Sequence, residues 1–372
     1  MFAAPAPIQR GQLKHGAPLQ AEQKSVPAKP APAKAAPAKK PAPPKAAPVK
    51  KPVPAKPVLA KKPAPVKPAP VKPAAVKTPP PAPAASYGPR APYRGAIAVD
   101  ADTGRVLFAD NMRTPGYPAS VTKLMTFLLV LEDVQAGLYR LDDRAVASPL
   151  AASMEPSSVG LRPGQSMTIH DLLLSIMVKS ANDAAETLAE HAALAHLRRH
   201  GAPPQEVPPA DLCAAFVARM NRRAQELGMR DTRYASPNGL PPPRGSKRGF
   251  DVSTAADLVE LGKVLVRMPK ALSYTSCPSC TVTDGAGKPL TLVGHNYFIP
   301  KNPDPKHLCT PLPECDGLKT GFTNASGSSI MLTAHRNGRR VIVVVLGSAG
   351  RHEREAAAGH ILRDALDAIS IW

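Results

Sequence analysis

The stretch Pro118-Ala119-Ser120-Val121-Thr122-Lys123-Leu124-Met125-Thr126 carries a serine and a lysine three residues apart, at the start of an apolar run that reaches Leu131. The run is apolar on all sides and therefore predicts a buried helix that begins near Ser120. Residues three apart share a helix face, so Lys123 can take the proton of a Ser120 hydroxyl held at the positive helix end. The alternative interpretation is a helix-capping serine followed by a lysine that reaches the surface.

The charge of the chain is unevenly distributed. Residues 1–90 carry 15 lysines, 2 arginines and one acidic residue, a net charge of +16 out of the +20 of all 372 residues. Residues 91–372 are therefore nearly balanced, and they are numerous enough to bury a large core. We expect a basic tail over residues 1–90 and one folded domain over residues 91–372.

The tail repeats Lys, Pro and Ala from about Val26 to Pro83. Such a segment cannot bury enough apolar surface to offset its ordering entropy, so we expect a disordered, extended spacer. Its charge either keeps the tail soluble or lets it contact an anionic polymer such as the cell wall. No nucleic-acid partner is expected, because the folded part has no helix-turn-helix, zinc-finger or basic-aromatic sheet pattern.

Export and membrane signals are not visible in the sequence. From Met1 to Gly16 the chain lacks an apolar run of signal-peptide length. No apolar stretch of about 18 residues or more predicts a transmembrane helix. We expect either a cytoplasmic protein or an export segment upstream of this sequence.

Residues 91–372 predict an α+β fold in which helices flank an antiparallel sheet and a helical region is inserted between the halves of the sheet. Strand-like apolar segments on either side of turn residues predict two hairpins, and apolar positions at helical spacing predict the helices. The predicted hairpins are 95–100 with 105–109 and 328–335 with 340–347, strand-like pieces fall at 281–283 and 290–293, and the predicted helices are 120–133, 171–178, 184–197, 212–227, 254–267 and 353–368.

Three short motifs follow one another in the chain. They are Ser120-x-x-Lys123, Ser180-x-Asn182 and Lys319-Thr320-Gly321, and each falls at the edge of a predicted element. Each motif alone is common, but the ordered set is typical of penicillin-binding proteins and class A β-lactamases.

On these motifs, residues 91–372 resemble the serine D-alanyl-D-alanine carboxypeptidase family, the low-molecular-mass penicillin-binding proteins. The resemblance also takes in Ser180-Ala181-Asn182-Asp183, Pro237-Asn238-Gly239-Leu240 and Asp316-Gly317-Leu318-Lys319-Thr320-Gly321-Phe322-Thr323. It implies a fold of the β-lactamase/DD-peptidase type, a place in the periplasm or cell envelope, and no cofactor. It also implies that the partners are peptidoglycan stem peptides, with β-lactam antibiotics as covalent inhibitors.

The resemblance implies a role for each motif residue. Ser120 would attack the peptide carbonyl, Lys123 would take its proton, and Ser180 would pass a proton to the leaving amine. Asn182 would hold the substrate amide, and a nearby Lys319 would help to keep Lys123 neutral.

The third motif is expected to bind the substrate. Lys319 and Thr320 would hold the terminal carboxylate, with Arg351 or Arg354 as a further contact. The backbone N–H groups of Ser120 and Phe322 would form an oxyanion hole. Gly321 would let a substrate strand lie close to the sheet edge.

Other functions remain open from the sequence. An endopeptidase that cuts peptidoglycan cross-links would use the same chemistry. A class A β-lactamase is less favoured, because no Glu followed two residues later by Leu-Asn occurs between residues 183 and 318. A non-catalytic wall-binding protein is the remaining alternative.

The five cysteines are Cys213, Cys277, Cys280, Cys309 and Cys315. In an exported protein we expect the last four to form two disulfides, with three pairings open, or alternatively a Cys₄ zinc site. Cys213 is predicted to be a buried free thiol. The histidines between residues 191 and 200 do not fit a metal-binding motif, so no metal is expected.

Overall fold

A computed structural model describes residues 92–201, 207–306 and 308–370. The predicted disordered tail over residues 1–90 lies outside these residues, so the tail and its boundary stay predictions. The N-terminal hairpin is confirmed, with β1 at Gly95–Asp100 and β2 at Val106–Asp110.

The centre of the fold is a five-stranded antiparallel sheet with the strand order β2-β1-β9-β8-β7. Strand β7 spans Cys315–Thr323, β8 spans Gly327–Arg336 and β9 spans Arg339–Ser348. The predicted second hairpin is β8 with β9. Strand β7, which carries the Lys-Thr-Gly motif, lies at the edge of the sheet and therefore leaves one side of its backbone unpaired within it.

Alternating residues of the strands feed two hydrophobic cores, one on each face of the sheet. On one face, side chains such as Ile330 and Val343 pack with those of the C-terminal helix α8, Arg351–Ser370. On the other face, Met331 and Val344 belong to the larger core, which also includes the helices in the middle of the chain. The α+β architecture with an inserted helical region is thereby confirmed.

The remaining elements fall between β2 and β7. Two antiparallel strand pairs, β3 with β4 and β5 with β6, accompany seven α-helices in the part of the chain that the structure describes. Their bounds are β3 Arg144–Val146, β4 Ser166–Thr168, β5 Ser279–Thr283, β6 Pro289–Val293, α1 Lys123–Gln135, α2 Pro149–Ala152, α3 Ile169–Leu174, α4 Asn182–Arg199, α5 Pro209–Glu226, α6 Ala255–Leu265 and α7 Pro269–Thr275.

All six predicted helices are present, but each begins one to three residues from its predicted start, and two of these starts show why. The apolar run is buried as predicted, but Ala119–Thr122 forms a 3₁₀ turn and the α-helix begins at Lys123. The helix predicted over 254–267 begins at Ala255 and is capped by Thr254, whose Oγ1 accepts a hydrogen bond from the Asp257 N–H at 3.1 Å; the adjacent Ser253 does not cap it. Adjacent hydroxyl residues both have the chemistry of a cap, and only the backbone path selects one.

The disulfide prediction is wrong for this structure, because all five cysteines are free. The Cys277 thiol donates to the Ser279 carbonyl at 3.0 Å, and the Cys315 thiol donates to the Gly317 carbonyl at 3.5 Å. Cys213 is only partly buried. The described part of the chain contains neither a cluster of three or more metal-binding side chains nor a helix that could span a membrane.

Candidate active site

The three motifs meet at one cavity of about 510 Å³, although they lie far apart in the chain. Ser120 sits on the 3₁₀ turn before α1, Ser180 and Asn182 lie where a π-helical turn meets α4, and the third motif lies on β7. Six of the eight predicted site residues line the cavity: Ser120, Ser180, Asn182, Thr320, Gly321 and Phe322. The other two, Lys123 and Lys319, are almost fully buried.

Lys123 makes three polar contacts with its ammonium nitrogen. Its Nζ lies 3.0 Å from Ser120 Oγ, 2.6 Å from Asn182 Oδ1 and 2.6 Å from the backbone oxygen of Asn238. The side chain has no exposed surface. Lys123 therefore points at the Ser120 hydroxyl and away from solvent.

The surroundings of Lys123 favour its neutral form. Burial lowers the pKa of Lys123 well below its usual value, and the positive charge of Lys319 lowers it further, while Asp251 and Asp183 oppose the shift. A neutral amine has two N–H donors and one lone pair. Because the oxygens of Asn182 and Asn238 can only accept, they use both donors, and the lone pair remains for the proton of Ser120.

Asn182 is already engaged on both sides of its amide. Its Oδ1 accepts from Lys123, and its Nδ2 donates to the backbone oxygen of Pro156. Its backbone N–H donates to the Ser157 oxygen at 2.7 Å. Asn182 therefore holds Lys123 in this structure, and its role in holding the substrate amide stays a prediction.

The backbone is left-handed beside the first motif and within the second. Ala119, which precedes Ser120, has φ of 49°, and Ser180 has φ of 62°. Residues with a Cβ adopt this conformation only at a cost of about 1–3 kcal/mol, and such strain is typical of functional sites. The turn at Ser180 separates the π-helical turn from α4, and the side chain of Ser180 lines the cavity.

The segment 236–240 is a part of the site to which sequence reasoning assigned no role. It supplies the Asn238 oxygen to Lys123, and Thr126 Oγ1 donates to the Pro237 oxygen at 2.6 Å. Ser236 Oγ accepts from the Gly239 N–H at 2.8 Å and donates to Asp251 at 2.6 Å. The family resemblance of this segment was its only signal, since a backbone carbonyl leaves no mark in the side-chain pattern.

Lys319 lies at a cationic part of the site. Its Nζ donates to the Thr320 oxygen at 2.9 Å. Burial, with the charge of Arg354 as a second cause, lowers the pKa of Lys319 to about 7. Burial and the charge of Lys319 also lower the pKa of His295 to about 4, so this cavity-lining imidazole is neutral at pH 7. An anionic group is the ligand that such a wall favours.

Both candidate arginines line the cavity, but they differ in their surroundings. Arg354 is buried and forms a two-pronged ion pair with Glu355 at 2.5 Å. Arg351 lies on the surface, with its guanidinium 5.5 Å from the centre of the Phe322 ring. Arg354 is therefore the one held rigidly beside Lys319.

Gly321 packs closely against the turn that carries Ser120, and its predicted role in admitting a substrate strand stays a prediction. A Cβ at this position would lie 2.6 Å from the Pro118 oxygen and 3.1 Å from the Ser120 nitrogen. The turn that carries Ser120 therefore occupies the space that a side chain at position 321 would need. This close packing brings the backbone N–H of Ser120 to strand β7, where the Phe322 N–H follows.

Comparison with known proteins shows that the chain is similar to D-alanyl-D-alanine peptidases. The peptidase S11 family model, described as D-alanyl-D-alanine carboxypeptidase, matches residues 86–196 and 211–350. The D-alanyl-D-alanine carboxypeptidase DacF of Bacillus subtilis is 30% identical over 269 residues, which are 72% of this chain and 61% of that protein. The D-alanyl-D-alanine endopeptidase of Pseudomonas aeruginosa is 30% identical over 273 residues, which are 72% of this chain and 75% of that protein.

Solved structures show the same fold. Ampicillin-bound penicillin-binding protein D2 of Listeria monocytogenes has a TM-score of 0.58 and 29% identity, and the match covers 74% of this chain and 98% of that one.

Proposed function

The chain belongs to the D-alanyl-D-alanine carboxypeptidase family, and from this we propose that it removes the terminal D-Ala of peptidoglycan stem peptides through an acyl-enzyme on Ser120. The observation that carries the proposal is the buried Lys123 amine, whose Nζ lies 3.0 Å from Ser120 Oγ and 2.6 Å from each of two acceptor oxygens, so that its neutral form would turn its lone pair to Ser120. A family of cell-wall enzymes also supports a place in the cell envelope.

The reaction begins when Ser120 Oγ attacks the carbonyl carbon of the D-Ala–D-Ala bond and Lys123 takes the hydroxyl proton. The backbone N–H groups of Ser120 and Phe322 stabilise the negative oxygen that develops. The carbon–nitrogen bond then breaks, and Ser180 passes a proton to the leaving D-Ala amine. Water hydrolyses the resulting ester and regenerates Ser120.

The substrate carboxylate binds at the cationic wall. Lys319 supplies charge, the Thr320 hydroxyl supplies a donor, and Arg354 supplies further positive charge. The buried position of Arg354 next to Lys319 favours it over Arg351, which lies over an exposed ring.

Substrate binding is expected to weaken above pH 7 because Lys319 must be charged to hold a carboxylate. The pKa of Lys319 is about 7 in the free protein, so its charged fraction falls as the pH rises past this value. We expect KM for a peptide ending in D-Ala-D-Ala to rise by up to about tenfold per pH unit above pH 7. Steady-state kinetics between pH 6 and about pH 9 measure this slope.

The matched substrate is the same peptide with a C-terminal carboxamide, which carries no charge at this position. Its KM is expected to be higher at pH 6 and nearly flat with pH. Equal slopes for the two peptides would show that Lys319 does not bind the carboxylate.

Covalent capture by a penicillin tests the proposed reaction. Incubation with a fluorescent penicillin is expected to attach one label, and mass spectrometry of the digested protein is expected to locate it on the peptide that contains Ser120. Absence of label, or label on another residue, would contradict an acyl-enzyme on Ser120. An unlabelled protein would favour the non-catalytic wall-binding alternative.

An endopeptidase is the second candidate. It is favoured by the match to the Pseudomonas aeruginosa endopeptidase, which spans a larger share of that protein than the match to DacF does. Product analysis on pentapeptide and on cross-linked muropeptide separates the two activities. Rapid, repeated hydrolysis of penicillin would instead indicate the less favoured β-lactamase.

A further inference from the structure

Glu186 is a buried carboxylate for which the proposed reaction has no use. It lies on α4 one turn after Asn182, and only 2% of its surface is exposed. Residues four apart share a helix face, so Glu186 points to the same side as Asn182. Its Oε2 accepts a hydrogen bond from Asn238 Nδ2 at 3.0 Å.

This hydrogen bond links Glu186 to the general base through a single residue. Asn238 donates to Glu186 with its side chain and accepts from Lys123 with its backbone oxygen. One face of α4 therefore supports both acceptors of Lys123. Asn182 is itself one acceptor, and Glu186 holds Asn238, whose backbone oxygen is the other.

We propose that Glu186 is a positioning residue that holds the Asn238 carbonyl against Lys123 and thereby keeps the lone pair of Lys123 on Ser120. The inference rests on the proposed function, since it assigns a role within the same acylation step. Glu186 touches neither substrate nor Ser120 and acts only through Asn238.

The side chain of Asn238 is fixed on both sides. Its Oδ1 accepts from the Leu240 N–H at 2.9 Å while its Nδ2 is held by Glu186. Asn238 is itself 2% exposed, so no bulk water is available to replace the carboxylate. Removal of Glu186 leaves a buried amide donor unpaired, which favours a rotated side chain and a displaced carbonyl.

The role needs an acceptor rather than a charge. Burial raises the pKa of Glu186, while the Cys213 thiol, Arg248 and Asn238 lower it. Both the carboxylate and the neutral acid keep an oxygen that can accept from Asn238. A glutamine at this position keeps the same acceptor, so it distinguishes positioning from electrostatics.

Glu190 is the matched control. It lies one turn further along α4 and is also a buried glutamate, at 5% exposure. Its carboxylate accepts from Ser148 Oγ at 2.7 Å, on a different part of the protein. Substitution of Glu190 reproduces the loss of stability that follows from removing a buried acid from α4, but it leaves the hydrogen bond to Asn238 in place.

The experiment measures the second-order rate constant of acylation by a fluorescent penicillin in the full-length protein. We expect Glu186→Ala to lower this rate constant by about 10- to 100-fold, because small displacements of a catalytic group have effects of this size. Glu186→Gln is expected to recover most of the lost rate. Glu190→Ala is expected to stay within about threefold of the parent protein.

A double-mutant cycle identifies Asn238 as the connecting residue. Asn238→Ala removes the other end of the same hydrogen bond and is expected to lower the rate as Glu186→Ala does. The double variant is expected to be no slower than either single variant, whereas independent effects would multiply. If Glu186→Ala does not fold, Asn238→Ala and Glu186→Gln carry the comparison.

The outcomes separate the inference from the proposed function. A parent protein that takes no label overturns the proposed function. A labelled parent with equal rates for Glu186→Ala and Glu190→Ala, or multiplicative effects in the cycle, overturns the role of Glu186 and leaves the proposed function standing.

Discussion

Replacing Lys123 by methionine is expected to lower the rate of Ser120 acylation by penicillin at least about 10³-fold. Methionine keeps the length and most of the volume of the lysine but has no basic nitrogen. The Ser120 proton would then have no acceptor at 3.0 Å, and the hydroxyl would attack as a poor nucleophile. The burst of label in rapid-mixing experiments measures this rate.

The fold is expected to survive this substitution. Lys123 is buried in surroundings that lower its pKa, and methionine fills the same space without a charge, although it leaves the oxygens of Asn182 and Asn238 without a donor. We expect the free energy of unfolding to change by about 1–3 kcal/mol. Ser120→Ala is the control for complete loss of labelling. An acylation rate of Lys123→Met above a tenth of the parent rate would exclude Lys123 as the base.

The dependence of acylation on pH follows from the same surroundings. Because burial and Lys319 lower the pKa of Lys123, the amine stays neutral at pH values where an exposed lysine is fully charged. Protonation of Lys123 at lower pH removes its lone pair. Acylation in the parent protein is therefore expected to slow as the pH falls through the pKa of Lys123.

The second large effect is expected from Gly239→Ala. Gly239 has φ of +84°, and a Cβ there would lie 2.0 Å from the Ala119 oxygen and 3.0 Å from the Ser120 nitrogen. Both atoms belong to the backbone, so the turn that carries Ser120 must shift. We expect a loss of about 3–5 kcal/mol in the free energy of unfolding and a large loss of acylation.

Gly245 provides the matched control for this substitution. It has φ of +78°, but nothing lies within 4 Å of a Cβ at that position. Gly245→Ala therefore reproduces the left-handed backbone strain without the collision and is expected to cost only about 1 kcal/mol. Equal losses in the two variants, measured by urea unfolding, would mean that strain alone accounts for the Gly239 effect.

The motif residues and most elements could be predicted from the chain. The apolar runs of β1, β8 and β9 reflect burial on both faces of the sheet, and the apolar run after Lys123 reflects a helix with no exposed side. Such patterns are visible in the sequence because residues at a regular spacing along a helix or strand face the same side and are buried together.

The errors have a common physical origin. Whether two thiols bond depends on how their loops are placed, and Cys277 and Cys315 instead donate to nearby carbonyls. The contacts of Asn182 with Lys123 and Pro156 were likewise not predicted, because they form in space between distant segments. Glu186 reads in the sequence as one more polar residue of a helix, and only its contact with Asn238 sets it apart.

The chain alone therefore decided which chemical groups exist, in which order they occur, and which helix or strand carries each of them. Tertiary structure decided the protonation state and direction of Lys123, whose two oxygen acceptors lie 59 and 115 residues further along the chain. The reason is that a pKa depends on burial and on charges through space, whereas local sequence acts only through neighbouring bonds and nearby side chains.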